Sequence, residues 1–205
     1  MNHIISGKLT ASDWRKQKVK LTEDGGEDIW AETFDLYLMK RLQSRYFEPI
    51  EILRREGKLQ GEGFAIASIQ CAVIEFLAAL RLGKNYRYVQ NRNDLGEHEY
   101  MNSSSLFCEF LITENPFKAW VRTISEAKSF YSSVRCALLH EARTKDGWKI
   151  WATGEIGVEP SKKIVRRDAL QGAINGYLEE YGILLLKDHG IQSAFIRKFD
   201  HLADT

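Results

Sequence analysis

The residues of this sequence best suited to chemistry are an arginine and a histidine in the segment RCALLHE, which runs from Arg135 to Glu141. A guanidinium group binds a phosphate through two parallel hydrogen bonds, and an imidazole exchanges protons near neutral pH. The pair Arg135 and His140 is therefore suited to chemistry at a phosphodiester, with the arginine holding the phosphate and the histidine moving protons.

The spacing of the two residues limits how they can cooperate. Residues five apart on an ideal α-helix point about 140° apart and differ by about 7.5 Å in rise. One regular helix therefore does not bring Arg135 and His140 together. Two arrangements remain open: the last helical turn is distorted near His140, or two copies of the chain meet across a two-fold axis and combine their motifs.

The elements that must position this motif are predicted to be helices. Apolar residues recur at helical spacing over 125–141 and stop before the turn at 144–147. The same periodicity predicts helices over 28–55, with a bend or restart at Pro49, over 64–82, over 106–112 and through the C-terminal segment 168–204. The polar segment 83–100 is predicted to be a long loop.

Two short β-prone segments, Trp148–Ala152 and Lys163–Arg166, are separated by a loop that contains glycine and proline. This pattern predicts a small β-hairpin around 147–167. The predicted fold class is therefore mainly α, an antiparallel helical bundle with a small β-hairpin insertion. We expect one domain over residues 1–205, because the length and the 44% hydrophobic content are sufficient for a single core.

Composition indicates an ordinary soluble protein. The formal net charge is +1, so a nucleic-acid partner has to be bound by a local patch rather than by overall charge. The three cysteines lie far apart in apolar helical patterns, which favours free thiols in a reducing, cytoplasmic compartment. The segment 64–82 is apolar enough to suggest a membrane span, but Gln70 and Glu75 favour a core helix instead. No secretory signal is predicted at the N-terminus, and no membrane association is expected.

The order of a bent first helix, an apolar second helix and a later helix that ends on Arg135-x4-His140 resembles the HEPN superfamily of helical-bundle proteins. Most of the chain fits this arrangement, and the arginine–histidine motif is its diagnostic part. In the family, the residue after the arginine is commonly Asn, Asp or His, whereas this chain has Cys136.

The resemblance implies a metal-independent endoribonuclease, without a cofactor, that acts in bacterial stress response, toxin–antitoxin systems or defence. It also implies a homodimer with the motif at its interface, and an antitoxin or regulatory partner. In such a site His140 deprotonates the RNA 2′-hydroxyl or protonates the leaving oxygen, while Arg135 stabilises charge on the phosphate. The expected products carry cyclic phosphates, and DNA should survive. The alternative class is a non-catalytic module that binds RNA, a nucleotide or a partner protein.

Three further residues are candidates for supporting roles. Glu141 either orients His140 or forms a surface ion pair with Arg143. Glu75, an acid on an apolar helix, needs a partner and is expected to hold a buried Arg or Tyr. Cys136 either supports the site or packs at the interface.

An RNA-binding surface is predicted where cations alternate with aromatic residues, since phosphate contacts and base stacking need both. An exposed basic loop with no ligand is the alternative. The candidate residues are Lys84, Tyr86, Arg87, Tyr88, Arg92 and Arg143. A charge run near the predicted hairpin, Lys162, Lys163, Arg166 and Arg167, either extends this surface or is simply solvated.

Other chemistries lack their motifs. His140-Glu141 begins like a zinc-protease helix, but Thr144 occupies the position of the second histidine, so no metal site is predicted. The glycine–lysine pairs at 57–58 and 83–84 lack the remaining residues of a phosphate-binding P-loop. A nucleophilic Cys136 activated by His140 is conceivable at this spacing, but packing is the favoured role for the cysteine.

Overall fold

The computed structural model describes residues 2–23, 25–58 and 60–204, and these residues are mainly α-helical, which confirms the predicted fold class. The helices are α1 (Ala11–Glu23), α2 (Glu27–Thr33), α3 (Lys40–Leu42), α4 (Glu48–Glu56), α5 (Glu62–Leu82), α6 (Ser103–Thr113), α7 (Ile124–Phe130), α8 (Ala137–Glu141), α9 (Arg167–Leu185) and α10 (His189–Asp204). Wider π-helical turns occur at Phe34–Met39, Gln43–Phe47 and Tyr131–Cys136, and 3-10 turns occur at Arg92–Asp94 and Phe117–Ala119.

The described residues form two compact units, each assembled from segments that are distant along the chain. The first unit comprises residues 1–48, 79–101 and 180–205, and the second comprises residues 49–78 and 102–179. Neither unit is a contiguous stretch of sequence, so the expected single domain over 1–205 stays a prediction.

An aromatic cluster forms the core of the first unit. The Trp14 ring of α1 lies 5.1 Å from Tyr37 and 5.2 Å from Phe199, and Phe195 stacks on Phe199 at 4.5 Å. The Trp14 indole N–H donates to Asp200 Oδ1 at 2.9 Å, which pairs the polar atom of this fully buried ring. Helix α1 therefore packs on α10, although the sequence analysis assigned no helix to 11–23.

The helical stretch predicted over 28–55 is confirmed, but it is not a regular α-helix. Its helices α2, α3 and α4 are joined by the π turns Phe34–Met39 and Gln43–Phe47. Pro49 has no N–H to donate to the carbonyl four residues earlier, on Arg45. The change of helix geometry therefore lies where the sequence predicts a bend or restart, directly before the proline.

Helix α5 supplies much of the core of the second unit. It is long and apolar enough to cross a membrane by length and composition, but 56% of its most apolar window is buried inside the protein. Its Gln70 side chain is fully buried and donates to the backbone oxygen of Arg167 at 2.7 Å. This burial supports the prediction that the apolar segment 64–82 is a core helix.

The β structure consists of three small sheets. Strands β1 (Ile4–Ser6) and β2 (Leu9–Thr10) are antiparallel, and β3 (Asn85–Tyr86) and β4 (Glu99–Tyr100) are parallel. The third sheet contains β5 (Lys149–Trp151), β6 (Val158–Glu159) and β7 (Ile164–Arg166) in the order β5-β7-β6. The sequence analysis placed a loop over 83–100 and so did not identify β3 and β4.

The third sheet corrects one detail of the sequence prediction. An antiparallel hairpin does lie within 147–167, but it is formed by β6 and β7. The two segments expected to form it, at 148–152 and 163–166, pair in parallel, with Lys149 opposite Ile164. The reason is that residues 152–163 fold back and place β6 on one side of β7, so β5 reaches the other side by a crossover rather than by a tight turn.

Candidate functional site

The motif helix is capped at its start and ends at a left-handed residue. At its start, Thr123 Oγ1 accepts from the Glu126 N–H at 3.2 Å and Glu126 Oε2 accepts from the Thr123 N–H at 3.0 Å, which is a capping box. At its end, Ala142 has φ of 52° in the left-handed region. Helix α7, the π turn Tyr131–Cys136 and α8 follow one another without a gap, which confirms the predicted helix over 125–141.

The π turn Tyr131–Cys136 contains the motif arginine. A π turn is wider than an α turn, so the side chains before and after it are displaced from their ideal α-helical directions. His140 lies in the α-helical turn that follows, in α8. The helix is thus distorted, but the distortion lies at Arg135 rather than near His140.

Arg135 is fixed by an ion pair with α5. One of its terminal nitrogens donates to Glu75 Oε2 at 2.7 Å, and the two side chains are 20% and 15% exposed. The guanidinium also lies over the Tyr131 ring, 5.5 Å from its centroid. Burial acts to lower the pKa of Arg135, but the charge and hydrogen bond of Glu75 outweigh it, so the pKa is raised and the residue stays cationic.

The ion pair leaves Arg135 with unused hydrogen-bonding capacity. Its other guanidinium N–H groups make no hydrogen bond with any residue in the described ranges. A guanidinium has five N–H donors in a planar fork. A half-buried arginine oriented in this way can bind an anion without first losing its contact with Glu75.

The buried Cys71 thiol and the Tyr131 hydroxyl near Arg135 stay protonated. Burial raises the pKa of Cys71 to about 12 and also raises the pKa of Tyr131. Cys136 is half-buried, and all three cysteines of the chain are free. The expectation that the cysteines pack as small hydrophobic residues is met by the buried Cys71 and Cys108.

His140 lies in a different environment from Arg135. It is exposed and makes no hydrogen bond with a described residue, and the neighbouring Leu139 is 64% exposed. No contact in the described chain joins the imidazole to the guanidinium. Both motif residues belong to the second unit, and a single copy presents them as two separate groups.

Glu141 does not orient His140. Its carboxylate accepts hydrogen bonds from Arg143 at 2.9 Å and pairs with Lys145. Hydrogen bonds from Lys145 and then Arg143 lower the pKa of this exposed carboxyl. Of the two roles predicted for Glu141, the structure shows the surface ion pair with Arg143.

The predicted RNA-binding loop lies in the first unit, and its side chains differ in availability. Tyr88 is 74% exposed and Tyr86 is 52% exposed, with the Tyr86 ring 5.7 Å from Tyr100. Arg92 is exposed, and Lys84 is half-buried. Arg87 is paired with Glu99 at 3.0 Å, so the loop offers aromatic rings more readily than free cations.

The remaining predicted cations lie in the second unit. Arg143 is exposed and bound to Glu141, as described above. Arg166 pairs with Glu159 at 2.9 Å and Arg167 pairs with Glu62 at 3.2 Å, and both arginine side chains are largely buried. These two arginines therefore serve internal ion pairs and do not extend a positive surface.

The described residues contain no group of three His, Cys, Asp or Glu side chains that could hold a metal ion. Comparison of the chain with models of protein families, with curated proteins and with solved structures finds no match.

Proposed function

We propose that this protein is a metal-independent endoribonuclease of the HEPN type, in which Arg135 holds the scissile phosphate and His140 transfers protons. The observation that supports the proposal most is the state of Arg135, which is bound to Glu75 through one nitrogen and is still 20% exposed. An arginine fixed at one edge and free at the other is suited to bidentate binding of a phosphate.

The proposed reaction is attack by the ribose on its own phosphodiester. His140 accepts the proton of the 2′-hydroxyl, whose oxygen forms a bond to the adjacent phosphorus while the bond from phosphorus to the 5′-oxygen breaks. A second histidine donates a proton to the leaving 5′-oxygen, and Arg135 stabilises the charge on the remaining phosphate oxygens. The products are a 2′,3′-cyclic phosphate and a 5′-hydroxyl. DNA lacks the attacking hydroxyl and is not cleaved.

The second histidine requires a second copy of the chain. Arg135 and His140 differ by about 7.5 Å in helical rise and have separate environments in one copy. His140 and the exposed Leu139 lie next to each other at the end of α8, where a partner copy can approach. We therefore include in the proposal a homodimer in which two motifs surround one phosphate.

Glu75 is a positioning residue in this proposal. It touches neither the phosphate nor the proton that moves, but its 2.7 Å hydrogen bond fixes the guanidinium. Its charge also offsets part of the charge of Arg135, so phosphate binding depends on the directed hydrogen bonds of the guanidinium. The Glu75→Gln variant keeps a hydrogen-bond acceptor and should retain more activity than Glu75→Ala.

The experiment is incubation of purified protein with a mixed RNA pool in the presence of EDTA. Cleavage by the wild type is expected, and Arg135→Ala and His140→Ala should each lose at least about 100-fold in rate. Ends bearing 2′,3′-cyclic phosphates identify the reaction, and an equivalent DNA pool should stay intact.

The matched controls are Arg54→Ala and His98→Ala. Arg54 is an exposed arginine paired with Glu51, and His98 is an exposed histidine. Both variants should cleave at the wild-type rate, and circular dichroism should show that all four variants are folded. If the folded wild type leaves RNA intact, the proposal of catalysis is wrong.

A non-catalytic binding module is the second candidate function. The observation that favours it is the ion pair itself, because the Arg135–Glu75 contact is also what a purely structural arginine would make. RNA binding without cleavage, unchanged by His140→Ala but weakened by Arg135→Ala, would support this function.

The endoribonuclease proposal also includes a cellular setting. We propose that the protein acts in the cytoplasm, in bacterial stress response, toxin–antitoxin systems or defence, and that it has an antitoxin partner.

A further inference from the structure

Three positively charged side chains, Arg41, Arg45 and Lys198, form a basic cluster in the first unit. Arg41 lies in α3, Arg45 lies in the π turn that follows it, and Lys198 lies in α10. The charge of Arg45 acts on the pKa of Arg41, and the charge of Arg41 acts on the pKa of Lys198, so the three groups are near one another.

The two arginines of the cluster bind the same backbone oxygen in β1. Arg41 Nη1 donates to the Ile5 oxygen, and Arg45 Nη2 donates to that oxygen at 3.1 Å. The two nitrogens therefore lie within about 6 Å of each other. Arg45 Nη2 also donates to the Ile4 oxygen at 3.2 Å. These bonds to the strand hold the two guanidinium groups side by side.

The positive charge of Arg41 is not compensated by a carboxylate of the described residues. The guanidinium of Arg135 is bound to Glu75, whereas Arg41 is bound only to a backbone oxygen. Burial, and then the like charge of Arg45, lower the pKa of Arg41 to about 10. A half-buried charge is costly unless an opposite charge lies beside it. An anion is the partner that would compensate this charge.

Solvent reaches the unused donors of both arginines. The Nε and Nη2 atoms of Arg41 make no hydrogen bond with a described residue, and neither nitrogen is fully buried. Arg45 is exposed, and its Nε and Nη1 atoms make no hydrogen bond with a described residue either. Each planar guanidinium therefore keeps two nitrogens that can donate to an anion from solvent.

Charge and donor geometry select the class of anion. Arg41 and Arg45 are cationic at pH 7, and Lys198, with a pKa of about 8, is mostly cationic as well. A terminal phosphate carries a charge of about −1.5 to −2 and three acceptor oxygens, whereas a phosphodiester carries a single charge. Two guanidinium forks match several phosphate oxygens, while a carboxylate is satisfied by one fork. A terminal phosphate therefore fits the basic cluster better than a phosphodiester or a carboxylate.

We propose that the basic cluster binds the terminal phosphate of a phosphorylated molecule, with Arg41 and Arg45 donating to its oxygens and Lys198 contributing a third positive charge. The π turn that contains Arg45 agrees with this role, because π turns occur frequently at functional sites. Arg135 and His140 belong to the second unit, so the inference does not depend on the proposed endoribonuclease. The phosphate can come from a small phosphorylated molecule or from the 5′ end of an RNA.

The test is titration of the full-length protein with inorganic phosphate by isothermal calorimetry, in chloride buffer at constant ionic strength. Arg41→Lys keeps the charge but loses the planar fork, and the exposed Arg45→Gln removes one fork. Each should weaken phosphate binding at least about fivefold. The matched control Arg54→Gln, at an exposed arginine outside the cluster, should bind phosphate as the wild type does. Arg135→Ala should also keep phosphate binding at the cluster.

Two 2′-O-methyl oligonucleotides, which have no 2′-hydroxyl to attack the phosphate, distinguish the sources of the phosphate. Binding of a 5′-phosphorylated oligonucleotide at least about tenfold tighter than binding of free phosphate, and lost with a 5′-hydroxyl, identifies an RNA end. Equal affinities for the 5′-phosphorylated oligonucleotide and free phosphate identify a small phosphorylated molecule.

The absence of phosphate binding by the folded wild type overturns the inference. Phosphate binding that is unchanged in both Arg41→Lys and Arg45→Gln, or weakened equally by Arg54→Gln, also overturns it. RNA cleavage without phosphate binding at the cluster leaves the proposed function standing and removes this site. Phosphate binding at the cluster without RNA cleavage does the reverse, so the two failures are distinguishable.

Discussion

At the scale of single residues, the proposed function depends most on the Arg135–Glu75 ion pair. It lies between two half-buried side chains, where the loss of one partner leaves the other charge without compensation. The same pair therefore matters for stability and for the orientation of the guanidinium.

Replacing Glu75 by alanine should lower the free energy of unfolding by about 2 kcal/mol, since a hydrogen bond to a charged group is lost and Arg135 keeps its desolvation cost. Urea denaturation measures the change. The control is Glu51→Ala, whose exposed pair with Arg54 should contribute less than about 0.5 kcal/mol. Equal effects of the two substitutions would show that the Glu75 contact is no stronger than a surface pair.

The cysteines provide a second prediction at this scale. Burial raises the pKa of Cys71 to about 12 and raises the pKa of Cys108, so few thiolates form at pH 8. Iodoacetamide should therefore label the half-buried Cys136 first, and Cys71 and Cys108 only after unfolding in urea. Mass spectrometry of digested protein measures the order. Early labelling of Cys71 in the folded protein would contradict the burial described here.

At the scale of elements, the end of the motif helix is under conformational strain. Ala142 follows α8 with φ of 52°, a region that a residue with a Cβ adopts at a cost of about 1 kcal/mol. The left-handed residue ends the helix directly after His140 and Glu141, so it also determines where the imidazole emerges.

The Ala142→Gly variant should be more stable than the wild type by about 0.5 kcal/mol, because glycine relieves the strain but loses more chain entropy on folding. The matched control is Ala31→Gly, at an exposed position within α2, which should be less stable by about 1 kcal/mol. Thermal unfolding followed by circular dichroism distinguishes the two. A loss of stability at both positions would contradict the left-handed conformation.

At the scale of the whole molecule, the dependence of stability on pH contains a contribution from a buried lysine. Lys198 on α10 is 7% exposed, and its ammonium group donates to the Lys84 oxygen at 3.0 Å. Burial, and then the charge of Arg41, lower its pKa to about 8. His201 on the same helix has a pKa lowered by burial and then by the charge of Lys198.

The sign of the lysine effect follows from proton linkage. The folded state releases the Lys198 proton near pH 8, whereas the unfolded state keeps it up to about pH 10.5. The unfolded state therefore binds more protons between about pH 8 and 10.5, so the contribution of Lys198 to the free energy of unfolding increases as pH rises through this window. Below pH 8, Lys198 is charged in both the folded and the unfolded state, and burial of this charge lowers the free energy of unfolding by an amount that does not change with pH.

Urea denaturation of the wild type and of Lys198→Met at pH 7, 8, 9 and 10 tests this linkage. The stability of the wild type relative to the variant should increase across the series by an amount on the order of 2 kcal/mol. Other titrating groups are common to both proteins and cancel in the difference. Parallel curves for the two proteins would show that the Lys198 pKa is not lowered by folding.

The sequence alone determined the helical character of the protein and the positions of its main helices. Apolar spacing along one helix is a local property, so the helices at 28–55, 64–82, 106–112, 125–141 and 168–204 were predictable. Glu75 was also recognisable, because a carboxylate on an apolar helix requires a partner. The sequence offered no means of choosing between an Arg and a Tyr for that role.

Only the tertiary structure decided which residues meet. It pairs Glu75 with Arg135 across 60 positions of sequence, joins β5 to β7 in parallel, and brings Glu62 to Arg167 beside Trp151. It also places an α-helix at 11–23, whose buried Trp14 packs on α10 at the other end of the chain. These contacts depend on how distant parts of the chain fold back on one another. Hydrophobic periodicity indicates only which face of a helix or strand is buried, and it does not indicate which other element covers that face.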